Sequence, residues 1–139
     1  MFNRKFLAAV VLAGATLAPT ASFAANSQST DCILREHRIA SVTPYRVQEY
    51  HGRGSTSRLA GAQVFVQAEP GLTPEWLELQ LARHIAAMRG QGSMKDCAFD
   101  VKDVSVKVDS AGTGFAVKII ARDPNKAEEV LRRAQLLVG

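Results

Sequence analysis

The chain has no long hydrophobic run: the longest, Phe6 to Ala18, is 13 residues, too few to cross about 30 Å of hydrocarbon as a permanent anchor. It has only two cysteines, Cys32 and Cys97, and no C-x-x-C pair, so the spacing that marks a thiol oxidoreductase is missing. It has no G-x-S-x-G elbow to hold a nucleophilic serine. Ser55, Thr56 and Ser57 follow His51 in a Gly-rich stretch that holds no fixed geometry. Gly52-Arg53-Gly54 and Gly112-Thr113-Gly114 lack the strand-to-helix setting of a phosphate loop and read as hairpin turns. Asp96, Asp100 and Asp103 fall at a turn and a strand end, where Asp serves the backbone. No catalytic constellation emerges, and the expectation is a protein that is not an enzyme.

A large charge of one sign is also missing. The 139 residues carry a formal +4, but Arg4 and Lys5 sit in the first 24 residues, and without them the net charge is +2. That is too little for a nucleic-acid footprint, which needs a strongly basic, clustered surface. The local excess formed by Arg35, Arg38, Arg46, Arg53 and Arg58 is spread over 24 residues and reads as a solvated face.

What is present is an export signal and one domain. Arg4 and Lys5 precede the apolar run, Pro19 breaks it, and Ser22-Phe23-Ala24 offers small residues for cleavage after Ala24. Residues 1–24 therefore read as a secretory leader, and the mature protein is expected in the periplasm or outside the cell, with no membrane span. Ser29-Thr30-Asp31 before Cys32 lack the residues that a lipid-modified cysteine requires. An apolar fraction of 47% is too high for a disordered tail. In an oxidising compartment Cys32 and Cys97 are expected to pair. The loop they close, 66 residues counted inclusively, is worth about 4 kcal/mol if unfolded-chain entropy dominates.

Periodicity gives the architecture. Residues 25–40 are expected to form an N-terminal arm tied by Cys32, and 41–139 a single domain. Tyr45 to Tyr50 alternate as a strand, His51 to Arg58 read as a flexible hairpin loop, and Gly61 to Ala68 resume strand character. Thr73-Pro74 starts a helix with Leu77, Leu81, Ile85 and Met88 on its apolar stripe, stopped by Gly90 and Gly92. Trp76, in its first turn, is expected to pack on the sheet edge. Phe99 and Val101 alternate in one phase, and Val104, Val106 and Val108 in the other, which places a bulge or strand start near Asp103. Phe115, Val117 and Ile119 form the next strand, and Asp123-Pro124 starts a helix with Ala127, Val130, Leu131, Ala134 and Val138 inward. Two β-β-α units follow. The fold class is α+β: a two-layer sandwich with a four-stranded, mostly antiparallel sheet and two helices on one face.

Such a sheet leaves one face open, and by parity Phe65, Lys118 and Ile120 lie on it. With Arg46, Arg53 and Arg58 on the first hairpin, they form the expected interaction surface for another envelope protein or a second copy, without a cofactor. The alternative is a soft-metal site. His84, Met88, Met94 and Cys97 are spaced H-x3-M-x5-M-x2-C. His84 and Met88 share a helical face, and imidazole, thioether and thiolate donors suit a copper or silver ion. Met88 is equally at home as core filler, and a disulfide at Cys97 would remove its thiolate. A site built from His37, His51 and His84 is not favoured by any spacing.

Overall fold

Two runs of alternating apolar residues form the middle of the sheet, seen in a computed structural model that describes residues 31–89 and 94–139. Strands β2 (Gly54–Gln67) and β4 (Gly114–Ala121) pair antiparallel, with Val64 opposite Val117. Strand β1 (Ile39–His51) flanks β2 and β3 (Val104–Ala111) flanks β4, giving the all-antiparallel order β1-β2-β4-β3. Val64, Val66, Val117 and Ile119 share one face, which is buried under helices α1 (Pro74–Met88) and α2 (Ala127–Gln135). Leu77, Leu81, Ile85 and Met88 of α1 and Ala127, Val130 and Ala134 of α2 complete one core. The expected α+β sandwich of four strands and two helices is the observed one.

The chain builds this β-β-α unit twice, and the two copies meet about the Val64–Val117 pair. Gly61 stands opposite Ile120 and Gly114 opposite Gln67, so the glycine of each unit meets the far end of the other's strand. A β-carbon on Gly61 would lie 1.9 Å from the Ile119 carbonyl oxygen, and one on Gly114 2.1 Å from that of Val66. Only hydrogen fits at either place. At Gly61 (φ 152°) the β1 register also shifts, because Ala60 is an additional residue on β2 between the pairs Tyr45–Gly61 and Arg46–Leu59.

Local chemistry sets the helix starts. The Thr73 hydroxyl accepts the Trp76 N–H at 3.2 Å, and Pro74 takes the first helical position. Asp123 accepts the Asn125 N–H at 2.9 Å and opens a 3-10 turn, Pro124–Lys126, before α2 begins. Glu128 and Glu129 then occupy the first turn of α2 and Arg132 and Arg133 its last, matching the helix dipole.

Several expectations differ from what is observed. His51 to Arg58 is no loop: β1 and β2 stay paired out to His51–Gly54, leaving a two-residue turn, Gly52-Arg53, with Gly52 at φ 60°. Gly and Ser read as loop residues by composition, yet a tight turn and a cross-strand Arg58–Glu49 ion pair hold the ladder. Strand β1 starts at Ile39 and runs through Pro44, which an edge strand tolerates. Phe99 and Val101 are buried, but in and beside a 3-10 turn, Ala98–Asp100, and β3 begins only after Asp103 at φ 57°. Val138 lies beyond α2 and is half exposed, and Trp76 keeps 47% of its surface in solvent. The leader expected over 1–24 and the glycines expected to stop α1 lie outside the described residues.

Near the N-terminus, Cys32 and Cys97 form a disulfide, and between it and β1 a 3-10 turn, Ile33–Glu36, buries Leu34 completely. The segment expected as an arm thus contributes to the core. Replacing Gly114 by Ala is expected to lower stability by roughly 2–4 kcal/mol in urea unfolding, and Gly61→Ala likewise. Gly54→Ala, where a β-carbon meets nothing closer than 3.9 Å, should stay within about 0.5 kcal/mol of the parent.

Candidate functional site

The most prominent surface feature is the outer half of the β1–β2 hairpin. From Arg46 on β1 round to Arg58 on β2 no residue is buried, whereas Ala60, Ala62, Val64 and Val66 further along β2 all are. At about 3.4 Å per residue the ribbon from Arg46 to its turn is about 20 Å long, and Leu59 at its base still packs against the core. One of its faces carries Arg46, Gln48 and Tyr50 opposite Leu59, Ser57 and Ser55, and the other Val47, Glu49 and His51 opposite Arg58, Thr56 and Gly54. The second face is internally paired: Glu49 holds Arg58 and lies 3.9 Å from His51. The first is not. Tyr50 is 80% exposed, and Arg46 and the turn residue Arg53 are exposed without an ion pair among the described residues.

The open sheet face carries a different pattern. Lys118 donates to Asp109 at 2.7 Å and sits 5.6 Å from the centre of the Tyr45 ring, while Lys107 approaches Asp109 at 3.7 Å. The Lys118 hydrogen bond holds the Asp109 carboxyl below its ordinary pKa, and the same bond raises that of Lys118. Phe65 pairs with Ala116 and Ile120 with Gly61; both are half-buried on this face, with the Gln63–Lys118 pair between their rows. Parity placed them correctly, but a charged residue with its own partners divides the apolar surface. Of the residues expected to interact, Lys118 and Arg58 are committed to intramolecular pairs, and Arg46 and Arg53 are not.

On the helix side of the sheet, His84 and Cys97 come together as their spacing suggested. The His84 Nε2 lies 4.0 Å from the Cys97 Sγ, and its ring meets the edge of Phe99 with centroids 6.2 Å apart. Cys97 is bonded to Cys32, so it offers no thiolate in this state. Met88 is buried in the core and Met94 packs against it. His37 pairs with Glu69 at 3.4 Å and His51 with Glu49, so each histidine has its own local partner. Among the described residues no group of three His, Cys, Asp or Glu side chains is placed to hold a metal. Arg133, which no motif singled out, ties this region to α2: its Nη2 donates to Glu129 at 2.6 Å and its Nη1 to the Cys97 carbonyl at 3.4 Å, with Asp100 at 3.6 Å. Its place in an i, i+4 pair with Glu129 was the available signal.

Burial depresses the His84 pKa, against an opposing pull from Glu36. The unfolded chain, with an ordinary histidine near pH 6.5, therefore takes up this proton first as pH falls. Stability from His84 is complete above that range and is lost as pH drops through it toward the folded value. The melting temperature should fall between about pH 7 and about pH 5, and a His84→Gln variant should show a flatter profile over that window.

No family model, curated protein or solved structure significantly matches this chain.

Proposed function

We propose that this protein is an exported, non-enzymatic binding module that engages another protein of the cell envelope through the projecting β1–β2 arm. The observation that carries this reading is the arm itself: a ribbon with no buried residue from Arg46 to Arg58, presenting Tyr50, Arg46 and Arg53 on its surface. An isolated two-stranded hairpin is marginal in water, and a partner packed on it would supply the missing third layer. Tyr and Arg are the side chains that dominate interface energetics, because they combine apolar area with directional polar groups. The disulfide suits an oxidising compartment, which the expected leader would reach.

A second reading, copper or silver binding, draws on His84 beside Cys97. Its thiolate would be available only after a dithiol reductant had split the disulfide, leaving His84 and the two methionines to bind beforehand. Equilibrium dialysis against Cu(I), before and after such reduction, separates the two readings. Uptake that a Met94→Leu change leaves unaltered would count against the metal.

A photo-crosslinking side chain placed at Arg53 should capture a discrete envelope partner, while the same probe at Glu128 on α2 should not. Arg46→Glu with Arg53→Glu, in a chain probed at Tyr50, should reduce that capture at least about tenfold, the loss expected when an interface anchor is reversed in charge. Its melting temperature should stay within a few degrees of the parent. Equal capture from both probe positions, or capture indifferent to the charge reversal, would remove the arm as the binding element.

A further inference from the structure

The edge of the sheet opposite the arm carries a separate surface. Strand β3 is an edge strand, and its Val108 N–H donates outward to the Glu78 carboxylate of α1 at 2.8 Å. In an antiparallel ladder, residues alternate between bonding the neighbouring strand and pointing away from it. Val104 and Val106, in the same phase as Val108, therefore also direct their N–H and C=O groups outward. Above them α1 leaves a groove. One cavity of about 340 Å³ is lined by Glu78, Leu79, Ala82 and Val108, and the next, of about 270 Å³, by Ala82, Ala86, Arg89 and Val106. Leu79 is 43% exposed there, and the exposed Ala82 and Ala86 keep the helix flank low.

We propose that this edge is a self-association surface, at which β3 of one copy pairs antiparallel with β3 of a second about a two-fold axis through Val106. That register sets Val104 opposite Val108 of the second copy, so the partner's Val104 carbonyl takes the Val108 N–H from Glu78. The two sheets join into one of eight strands, with all four helices on the same face. Charge selects a second copy over an unrelated strand. Ala82 and Val106 line the same cavity, so an axis through Val106 runs beside the middle of α1. Antiparallel α1 helices then bring Glu75, at the acidic start of each, against Arg89 at the end of the other. Glu78 acts as a stopper on the edge: it satisfies the exposed donor in the single chain and is displaced on pairing, the management that an unpaired strand edge requires.

Sedimentation velocity of the disulfide-bonded protein from about 1 μM to about 1 mM, with amide exchange at both ends of that range, tests this. Dimers should form with protection rising at Val104 and Val106. Glu78→Ala should strengthen association at least about fivefold, because no side chain then competes for the Val108 donor. Ala82→Lys on the exposed helix flank should weaken it at least about tenfold while leaving the melting temperature in place. Glu75→Arg should weaken it, and adding Arg89→Glu should restore it. Arm variants such as Arg53→Glu should not move it, which keeps this surface distinguishable from the one proposed for the arm. A protein that stays monomeric at the highest concentration even as the Glu78→Ala variant overturns the proposal, as do dimers indifferent to Ala82→Lys. A monomer whose Val104 and Val106 amides are protected only by an unrelated extended peptide assigns the groove to a foreign strand instead, and also overturns it.

Discussion

The structure depends on how closely β2 and β4 approach. These central strands carry the most deeply buried residues of the sheet, and each presents a glycine where a side chain would strike the other's backbone. Their pairing decides where both helices sit, because Val64, Val66, Val117 and Ile119 form the floor on which α1 and α2 rest. It also makes the two β-β-α units mutually necessary. Neither has a covered sheet without the other, since a two-stranded ribbon with one helix buries too little to stand alone.

A second constraint gathers beside α2, around the segment 97–103 that leads into β3. The disulfide joins Cys32 to Cys97, Arg133 reaches from α2 to the Cys97 carbonyl and Asp100, and Leu34 and Phe99 fill the space beneath. The arm has no such fastening. Rigidity and exposure are therefore unevenly distributed: the covalent and ionic ties gather around the helices, while the ribbon relies on its own ladder and the Arg58–Glu49 pair.

Much of the fold was legible because it rests on short-range rules. Period-two runs marked β2 and β4, and Thr73-Pro74 and Asp123-Pro124 marked the helix entrances through capping chemistry that acts within three residues. The length of the first hairpin was not legible. Gly, Ser and Arg between His51 and Arg58 carry loop propensity, and only the two-residue turn together with the β1 template turns them into strand. Phe99 and Val101 misled for a related reason: apolar spacing of two reports burial, and a 3-10 turn can bury both residues as well as a strand does. Of the candidate site, the meeting of His84 and Cys97 followed from helix spacing and chain connectivity. The Glu78–Val108 bond joins residues 30 apart in the sequence, and no local pattern announces it. Lys118 shows a further limit, since its parity was right while its partners Asp109 and Tyr45 depend on strand order.

Pro44 gives the two sheet borders different characters. It lies inside β1, the border opposite β3, and removes a donor from the strand at that point. The bulge after Tyr45 then changes the twist of the same border. A chain with two equally receptive borders can polymerise without end, each added molecule exposing a fresh template for the next. If copies pair along β3 as proposed, Pro44 and the bulge make the β1 border the poorer template, so strand addition would stop at two copies instead of extending into a fibre.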